Sequence, residues 1–525
     1  MHFSDYSGTS LKEFRDYAWK HGVAVDHIPT PDEQKASLDG IFREPASTVA
    51  VRLYDRFYSE TIAQFIDRIA GTVKECSHGD KLVGCYYGYH QEYSNIGFTP
   101  NRSGHNDMRR LLDSPNVDFF LSPQSYSVRN LGAPNADMKP YGAARVAGKF
   151  SVVEDDTRTH LLDECGYGQT LNLEQTIAVL KRNAGMYLAH RMPMNQLAEH
   201  GGDELDDPAL RELFAKTVVA GQYIMEQPEP DPTEIAAVID EKSIQYLAAS
   251  QETVGAPEND CYQYGYDGML RLSPGRSFKP LYGELLGCQR YQLARIGAPV
   301  DVILLEDVVR TAGKYKVVVF LNAFADTPEL RKAYQALKEK NVSIVTVYGA
   351  GFLAPGGISV QTMSDLVGMR LLKAAPSTLS AMPGPIQIER SGETYGAEYP
   401  VQTRFFASDP GAGIHGAYTD GAGGGSCAIA SKGKNYFYGG ALLSPEFLRF
   451  VAGQAGVHIY LDTNDNLYVG AHLISIHAVT SGQKTIMLPR ECMVEDVYSG
   501  EKIPVRNNCI TIPMKAMESR VFLLK

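Results

Sequence analysis

The amino-acid sequence predicts an α/β protein of about three successive domains, and three observations support this prediction. In residues 1–225, apolar strand-like segments alternate with helical segments and polar loops, which is typical of a parallel sheet covered by helices. A proline-rich linker separates this region from a second alternating series over residues 233–460. Over residues 461–525, short strands follow one another with few helix signals.

The first domain is predicted to hold four parallel strands with helices between them. Apolar residues recur at helical spacing over 10–19 and 48–76, which favours two helices before the first strand. Two further helices are expected at 106–112 and 173–185. The predicted strands are 81–89, 117–122, 149–153 and 186–189.

The second domain follows the linker at 227–232, where three prolines at alternate positions favour an extended chain. Strands and helices alternate again, which predicts a smaller, open α/β sheet. Helices are expected at 281–296 and 329–340. The predicted strands are 234–240, 300–305, 315–321 and 342–348.

The C-terminal region has alternating apolar and polar residues in short segments bounded by turn residues. Such a series predicts a small β-sandwich. Its strands are expected at 484–488, 493–498 and 509–513.

Composition and spacing exclude several classes of function. The chain has 50 Lys and Arg against 61 Asp and Glu, a formal net charge of −11. Because a protein that tracks phosphates needs a basic face, this balance argues against a nucleic-acid partner. No apolar run approaches the roughly 18 residues that would cross a bilayer, so no membrane partner is expected. No Cys/His spacing matches a zinc site, and we predict neither a metal nor a cofactor.

The segment EDDTRTH, which begins at Glu154, carries the strongest chemical signal. It directly follows a predicted strand, so its carboxylates and arginine fall at the C-terminal rim of the sheet, where α/β barrels build their active sites. The other predicted strands also end in Tyr, His, Gln and Arg, which suit a hydroxyl-rich ligand such as a sugar. The alternative is that Glu154, Asp155, Asp156 and Arg158 form helix caps and ion pairs on a solvated loop.

Over essentially its whole length the chain resembles glycoside hydrolase family 42. The resemblance rests on the strand ends GCYYGYH, SPQSY and EDDTRTH, and on the later segments GAPVDVILLEDV and YKVVVFLNAF. It implies a (β/α)8-type barrel, here only its C-terminal strands, followed by two smaller domains. It also implies a retaining exo-β-glycosidase of the β-galactosidase type that acts on a small saccharide or glycoside.

The resemblance assigns roles to single residues. If the four predicted strands are the fifth to eighth of a barrel, Glu154 takes the position of the family's nucleophile. Tyr126 resembles the tyrosine that steadies the nucleophile's carboxylate. The family's acid/base Glu precedes a segment similar to the one that begins here at Asp5, so we expect the matching Glu upstream of Met1. Glu13 lies on the following helix and is a poor substitute.

The expected N-terminal half of the barrel is therefore missing from this sequence. The alternative function is a non-catalytic carbohydrate-binding or scaffold subunit that lacks the acid/base residue. No signal-peptide pattern is present at the N-terminus. Because a leader could be missing together with the barrel half, the localisation stays open.

The binding-site prediction places seven further residues around the sugar in the −1 subsite, because each closely follows a predicted barrel strand. These residues are Tyr89, His90, Tyr126, Arg129, Asp156, Arg158 and Asn195.

The second domain resembles the class I glutamine amidotransferases, whose cysteine nucleophile stands on a tight turn after a strand. Ala350 occupies that position here, so glutaminase chemistry is excluded. In family 42 this domain mediates trimerisation, and the resemblance implies a homotrimer. The alternative is a monomer in which Tyr262, Tyr264 and Tyr266 pack on the barrel.

Overall fold

The computed structural model describes the side chains of most of the chain, and the backbone alone of 262–264 and 270–272. The predicted interface tyrosines Tyr262, Tyr264 and Tyr266 lie outside the described side chains. The described residues are 5–38, 41–92, 100–126, 128–163, 168–198, 201, 203–228, 231–248, 282–374, 386–395, 403–419 and 427–525.

Helices occur throughout the chain up to residue 454. They are α1 (Gly8–Lys20), α2 (Pro31–Lys35), α3 (Val49–Cys76), α4 (Met108–Asp113), α5 (Tyr141–Val146), α6 (Leu173–Ala189), α7 (Pro208–Glu226), α8 (Glu241–Ile244), α9 (Gln289–Ala294), α10 (Val308–Thr311), α11 (Pro328–Glu339), α12 (Val360–Val367) and α13 (Pro445–Gln454).

The first sheet has four parallel strands in the order β1-β2-β3-β4. The prediction of three adjacent parallel strands around 81–89, 117–122 and 149–153 is confirmed. Helices α5 and α6 lie against one face of this sheet, where alternate side chains of β3 are buried. The strands are β1 (Gly84–Tyr86), β2 (Phe119–Pro123), β3 (Phe150–Asp155) and β4 (Met194–Gln196).

The fourth strand lies elsewhere than predicted. Residues 186–189 continue helix α6, which Asn172 caps by accepting a hydrogen bond from the Gln175 amide, and β4 begins only at Met194. The last two turns of α6 are buried on nearly all sides because the helix packs between the first sheet and the C-terminal strands. An all-round apolar segment of this length looks the same as a buried strand in the sequence.

The second sheet has eleven strands and carries the parallel strands predicted for the second domain. Its parallel part runs β8-β5-β9-β10-β19, and an antiparallel part over 371–438 continues it, which the sequence patterns did not predict. The predicted helix over 281–296 consists of a π-helix (Gly283–Cys288) followed by α9. The strands from here to residue 438 are β5 (Ile235–Ile239), the separate hairpin β6 (Tyr262–Tyr264) and β7 (Leu270–Leu272), β8 (Val300–Leu304), β9 (Val317–Phe320), β10 (Ser343–Val347), the short pair β11 (Leu353–Ala354) and β12 (Gly357–Ile358), β13 (Leu371–Lys373), β14 (Ile386–Ile388), β15 (Thr394–Tyr395), β16 (Phe405–Ala407), β17 (Gly413–Tyr418), β18 (Cys427–Lys432) and β19 (Asn435–Tyr438).

The C-terminal strands form a five-stranded antiparallel sheet and a two-stranded ribbon that share one hydrophobic core. This sheet packs on α6, and the approach is close: a Cβ at Gly185 would lie 2.0 Å from Ser475 Oγ. The first and last parts of the chain are thus packed together through one helix. The strands are β20 (Asn466–Gly470), β21 (Leu473–His477), β22 (Gly482–Met487), β23 (Val494–Asp496), β24 (Lys502–Ile503), β25 (Cys509–Met514) and β26 (Ser519–Leu524).

Candidate active site

Glu154 lies at the C-terminal end of β3, on the face of the first sheet that points away from the helices. Side chains alternate along a strand, so its neighbours Val153 and Asp155 point to the covered face and are buried, whereas Glu154 is only half-buried. The Tyr86 hydroxyl donates a hydrogen bond of 2.5 Å to Glu154 Oε2. This bond to a carboxylate, together with partial burial, raises the pKa of Tyr86 to about 12.

Asn195 is the predicted binding residue that shares this face with Glu154. It is the register partner of Glu154 on β4, and its side chain is exposed. Register partners on neighbouring strands point to the same side of a sheet, a few ångströms apart. The sequence predicts Asn195 just after a strand, whereas it lies on β4 itself. A carboxylate beside an amide provides hydrogen-bond acceptors and donors for vicinal hydroxyls.

Asp155 anchors the end of β3 on the opposite face. Its carboxylate accepts hydrogen bonds from Thr157 Oγ1 at 2.6 Å, Asn183 Nδ2 at 3.0 Å and the Tyr187 hydroxyl at 3.1 Å. The last two donors come from α6, so the helix holds the strand end in place. A strand end fixed in this way fixes the direction of the Glu154 side chain on the other face.

Three of the predicted binding residues form a buried ion-pair network. Arg129 Nη2 donates to Asp156 Oδ1 at 2.7 Å, and Arg158 Nη1 lies 3.2 Å from Asp156 Oδ2. Arg129 also donates to the backbone carbonyls of Gln124 and Ser125, and its guanidinium stacks on the Tyr126 ring, 4.4 Å from the centroid. The network therefore links the loop after β2 to the loop after β3. The ion-pair alternative describes Asp156 and Arg158 well, although both are buried rather than solvated.

The residues predicted after β1 divide between two environments. Tyr89 is half-buried, with its ring 4.7 Å from that of His105. His90 is buried, and its Nε2 lies 2.8 Å from Glu241 Oε1 at the start of α8. The same carboxylate accepts the backbone N–H groups of Met108 and Arg109 at the start of α4. His90 thus joins the first sheet to the second and is not on the face that carries Glu154.

Sequence reasoning missed two residues of the rim. Tyr86, instead of the expected Tyr126, is the tyrosine that bonds to Glu154. Its position could have been found from register, because Tyr86, Leu121 and Val152 are partners across three strands. Glu92 is the second: it is buried, accepts a 2.6 Å hydrogen bond from Ser125 Oγ and pairs with Arg290 at 3.2 Å.

Within the described ranges, no group of three or more His, Cys, Asp and Glu side chains has an arrangement that could hold a metal ion. Among the same residues, no helix combines the length and apolar character needed to cross a membrane.

Comparison with solved structures shows which fold this is. The chain is similar to a catalytic mutant of a GH42 β-galactosidase from G. stearothermophilus, with a TM-score of 0.60 at 13% identity over 99% of this chain and 76% of that one. The β-galactosidase of Rahnella sp. R3 gives 0.62 at 14% identity over the same shares. The fold resembles that of family 42 glycoside hydrolases.

A third similar structure carries the same family label but is named as an exo-carrageenase rather than a β-galactosidase. The exo-carrageenase GH42 from Bacteroides ovatus gives a TM-score of 0.53 at 10% identity, over 99% of this chain and 63% of that one. No protein-family model matches this sequence. No curated protein sequence is similar enough to count as a relative. The likeness therefore lies in the fold, and activity has to be argued from the site.

Proposed function

We propose that this chain belongs to a retaining exo-β-glycosidase, most similar to the β-galactosidases, in which Glu154 is the nucleophile. The observation that carries the proposal is the placement of Glu154. Its carboxylate stands at the C-terminal end of a parallel strand, on the face away from the helices, and the Tyr86 hydroxyl holds one of its oxygens. Barrel enzymes place their reacting groups at this end of the strands.

In the proposed reaction Glu154 attacks the anomeric carbon and forms a covalent glycosyl-enzyme ester, while the leaving-group oxygen takes a proton. Water then attacks the same carbon, loses its proton to the acid/base group and releases Glu154. Tyr86 holds Oε2 by a hydrogen bond, and Glu154 Oε1 has no hydrogen-bond partner among the described residues. This arrangement favours Oε1 as the attacking atom.

A second carboxylate about 5–5.5 Å away is needed as the acid/base group. Asp155 and Asp156 are not suitable, because both are buried and engaged with Asn183, Tyr187 and the two arginines. We expect the acid/base group to come from outside the described residues. The same observation favours the second candidate, a non-catalytic saccharide-binding subunit.

An activated aryl β-galactoside distinguishes the two candidates, because its leaving group needs little protonation. Turnover that rises on addition of azide is expected, since azide can attack the glycosyl-enzyme without a general base. Glu154→Gln should abolish this turnover, and Glu491→Gln, an exposed carboxylate in the C-terminal region, is the matched control. Turnover that survives in Glu154→Gln would refute the nucleophile, and saccharide binding without turnover would support the second candidate.

A further inference from the structure

A cavity of about 670 Å³ lies between helix α13 and the strands β14 and β17, in the antiparallel part of the second sheet. None of its lining residues belongs to the first sheet, which carries Glu154. Ligand pockets typically enclose about 300–1,000 Å³ and are mostly apolar, with a few polar groups that orient the ligand. This cavity, the α13 groove, thus has the size of a small-molecule site and is separate from the candidate active site.

Apolar side chains of all three elements form the wall of the α13 groove. Phe447 of α13 and Ile388 of β14 are buried, Phe450 of α13 is half-buried, and Ile414 of β17 is exposed. The ring of His415, which also lines the groove, lies 5.5 Å from the Phe450 ring between centroids. A wall of this kind accepts the apolar face of a ring-shaped ligand.

Three polar side chains of the lining retain hydrogen-bonding atoms for a ligand. His415 Nε2 lies 2.8 Å from Ser431 Oγ, and its Nδ1 has no hydrogen-bond partner among the described residues. Burial lowers the pKa of His415, so its ring is neutral at pH 7. Glu389 and Arg390 are exposed, and the Arg390 guanidinium lies over the Phe450 ring, 5.1 Å from the centroid. The groove therefore offers a carboxylate acceptor, guanidinium donors and an imidazole nitrogen.

The other two charged residues of the lining are bound within the protein and fix the shape of the groove. Glu446 accepts a hydrogen bond of 2.6 Å from Ser444 Oγ. Arg449 donates to the backbone carbonyls of Arg295 at 2.7 Å and Ile296 at 3.1 Å. Helix α13 is thereby held against the segment that precedes β8. A site that is formed in advance loses less conformational entropy when a ligand binds.

The charges and the strand pairing of the groove restrict the kind of ligand. Two carboxylates, Glu389 and Glu446, are balanced by two arginines, Arg390 and Arg449, so the lining favours neither an anion nor a cation. Strand β14 pairs with β15 on one side and with β17 on the other, so it offers no free edge to an extended peptide. A neutral molecule with apolar ring faces and hydroxyl groups at the ring edges matches both the wall and the polar groups.

We propose that the α13 groove is a second saccharide-binding site, which takes a neutral oligosaccharide. The apolar ring faces pack against Phe450, and the hydroxyl groups donate to Glu389 and accept from Arg390. The choice of a saccharide among neutral ligands rests on the proposed glycosidase function. A second site of this kind keeps a long saccharide attached to the protein and so raises its local concentration.

Hydrogen exchange measured by mass spectrometry tests where a saccharide binds. The probes are β-1,4-linked galactotetraose, cellotetraose, mannotetraose and xylotetraose, which are all neutral. At about ten times its Kd, at least one probe should slow exchange about tenfold in peptides from β14, β17 and α13. The measurement uses the wild type and Glu154→Gln, and the second protein should show the same protection because the groove does not contain Glu154.

Two variants remove different parts of the groove. Phe450→Ala shortens the apolar wall, and Glu389→Ala removes the exposed acceptor, so each should weaken binding of the probe at least about fivefold. Val309→Ala, at an apolar position that is 54% exposed on α10, and Glu491→Ala, at an exposed carboxylate, are the matched controls and should bind as the wild type does. Circular dichroism has to show that the variants keep their fold, which is expected for Glu389→Ala in particular because that side chain is exposed.

The proposal is overturned if none of the probes protects β14, β17 and α13. It is also overturned if folded Phe450→Ala and Glu389→Ala bind the probe as tightly as the wild type. Protection of these elements that grows with protein concentration, without saccharide, would show that a second copy of the chain takes this place. Turnover of the aryl galactoside separates the two proposals, because the groove variants should retain it whereas Glu154→Gln should not.

Discussion

At the scale of single residues, the Glu154–Tyr86 pair is the part of the site whose geometry can be tested most finely. The two side chains come from strands that are separated by β2, and Tyr86 reaches across it to Glu154 Oε2. A hydrogen bond to a carboxylate is stronger than one between neutral groups. Tyr86 is therefore expected to hold the carboxylate in the orientation needed for attack.

Replacing Tyr86 by Phe should slow formation of the glycosyl-enzyme about 10–100-fold, as expected for the loss of one positioning hydrogen bond. Burst kinetics with an activated aryl glycoside would measure this step directly. Tyr58→Phe, on α3, is the control and should keep the wild-type rate. An unchanged burst rate in a folded Tyr86→Phe protein would show that this hydroxyl does not position Glu154.

A second residue-scale prediction concerns two carboxylates that follow β5 and β8, the buried Asp240 and the half-buried Glu306. Burial, together with Glu241 and Asp240, raises the pKa of Glu306 to about 7, and burial raises that of Asp240 to about 6. A glutamate in the unfolded chain has a pKa of about 4.3. Between these two pH values, Glu306 is protonated more often in the folded protein than in the unfolded chain. The contribution of Glu306 to stability therefore falls as the pH rises from about 4 to 7.

Glu306→Gln should therefore stabilise the protein more at pH 8 than at pH 4.5, by a difference of about 1–3 kcal/mol. The thermal midpoints of variant and wild type, compared at both pH values, measure this difference. Lys242, whose Nζ lies 3.4 Å from Glu306 Oε1, favours the charged carboxylate and so reduces the expected difference in stability. A substitution effect that is the same at both pH values, or more favourable at pH 4.5, would contradict the prediction.

The sequence predicted the residue types of the rim better than their positions. EDDTRTH indicated this strand end because three ionisable residues directly follow an apolar strand, and the family resemblance then singled out Glu154. The sequence could not show which of the neighbouring residues would be buried. Asp156, Arg129 and Arg158 satisfy one another within the protein, and His90 pairs with Glu241, which is distant in the sequence. Such long-range pairs leave no local pattern.

At the scale of elements, strands were predicted reliably where their apolar runs are short and bounded by polar residues, as in β2, β3 and β9. Helix α6 was cut short because its last turns are buried by the C-terminal sheet as well as by the first sheet. Strand β4 was missed for the opposite reason: it has three residues and includes the polar Asn195 and Gln196. Burial by partners distant in the sequence decided both cases.

An element-scale prediction tests the junction between α9 and β8. Gly297 has φ of +78°, a Cβ there would lie 1.7 Å from the Leu461 carbonyl oxygen, and its own carbonyl accepts the Tyr460 N–H at 2.8 Å. Gly297→Ala should therefore cost about 2–4 kcal/mol and lower the thermal midpoint. Gly313→Ala, where no atom lies within 4 Å, should change stability by less than about 0.5 kcal/mol. Equal midpoints for the two variants would refute this view of the junction.

At the scale of the whole molecule, parallel strands in both large sheets were predicted, and the large antiparallel extension of the second sheet was not. The parallel strands around β5, β8, β9 and β10 have continuous apolar runs, whereas the strands of 371–438 are short and irregular in pattern. The domain boundaries at 225, 233, 460 and 461 remain predictions, because one hydrophobic cluster contains residues of both the first and the second predicted domain. Shared cores of this kind cannot be read from composition.

The predicted homotrimer, held by the region 233–460, can be tested by the mass of the protein in solution. Light scattering should give a mass of three chains. The trimer is expected because the sequence of this region resembles the amidotransferases but has Ala350 in place of their nucleophile, and a domain that lacks its chemistry is expected to be retained for its surface. A single chain, independent of concentration, would contradict the trimer.

The measurement that tests the central claim most directly is trapping of the nucleophile. The protein is incubated with an activated 2-fluoro β-galactoside, whose glycosyl-enzyme ester forms but hydrolyses very slowly, and the labelled peptide is identified by mass spectrometry. The account predicts one sugar per chain, attached to Glu154, and no label in Glu154→Gln. A label on another carboxylate, with Glu154 unmodified, would contradict it.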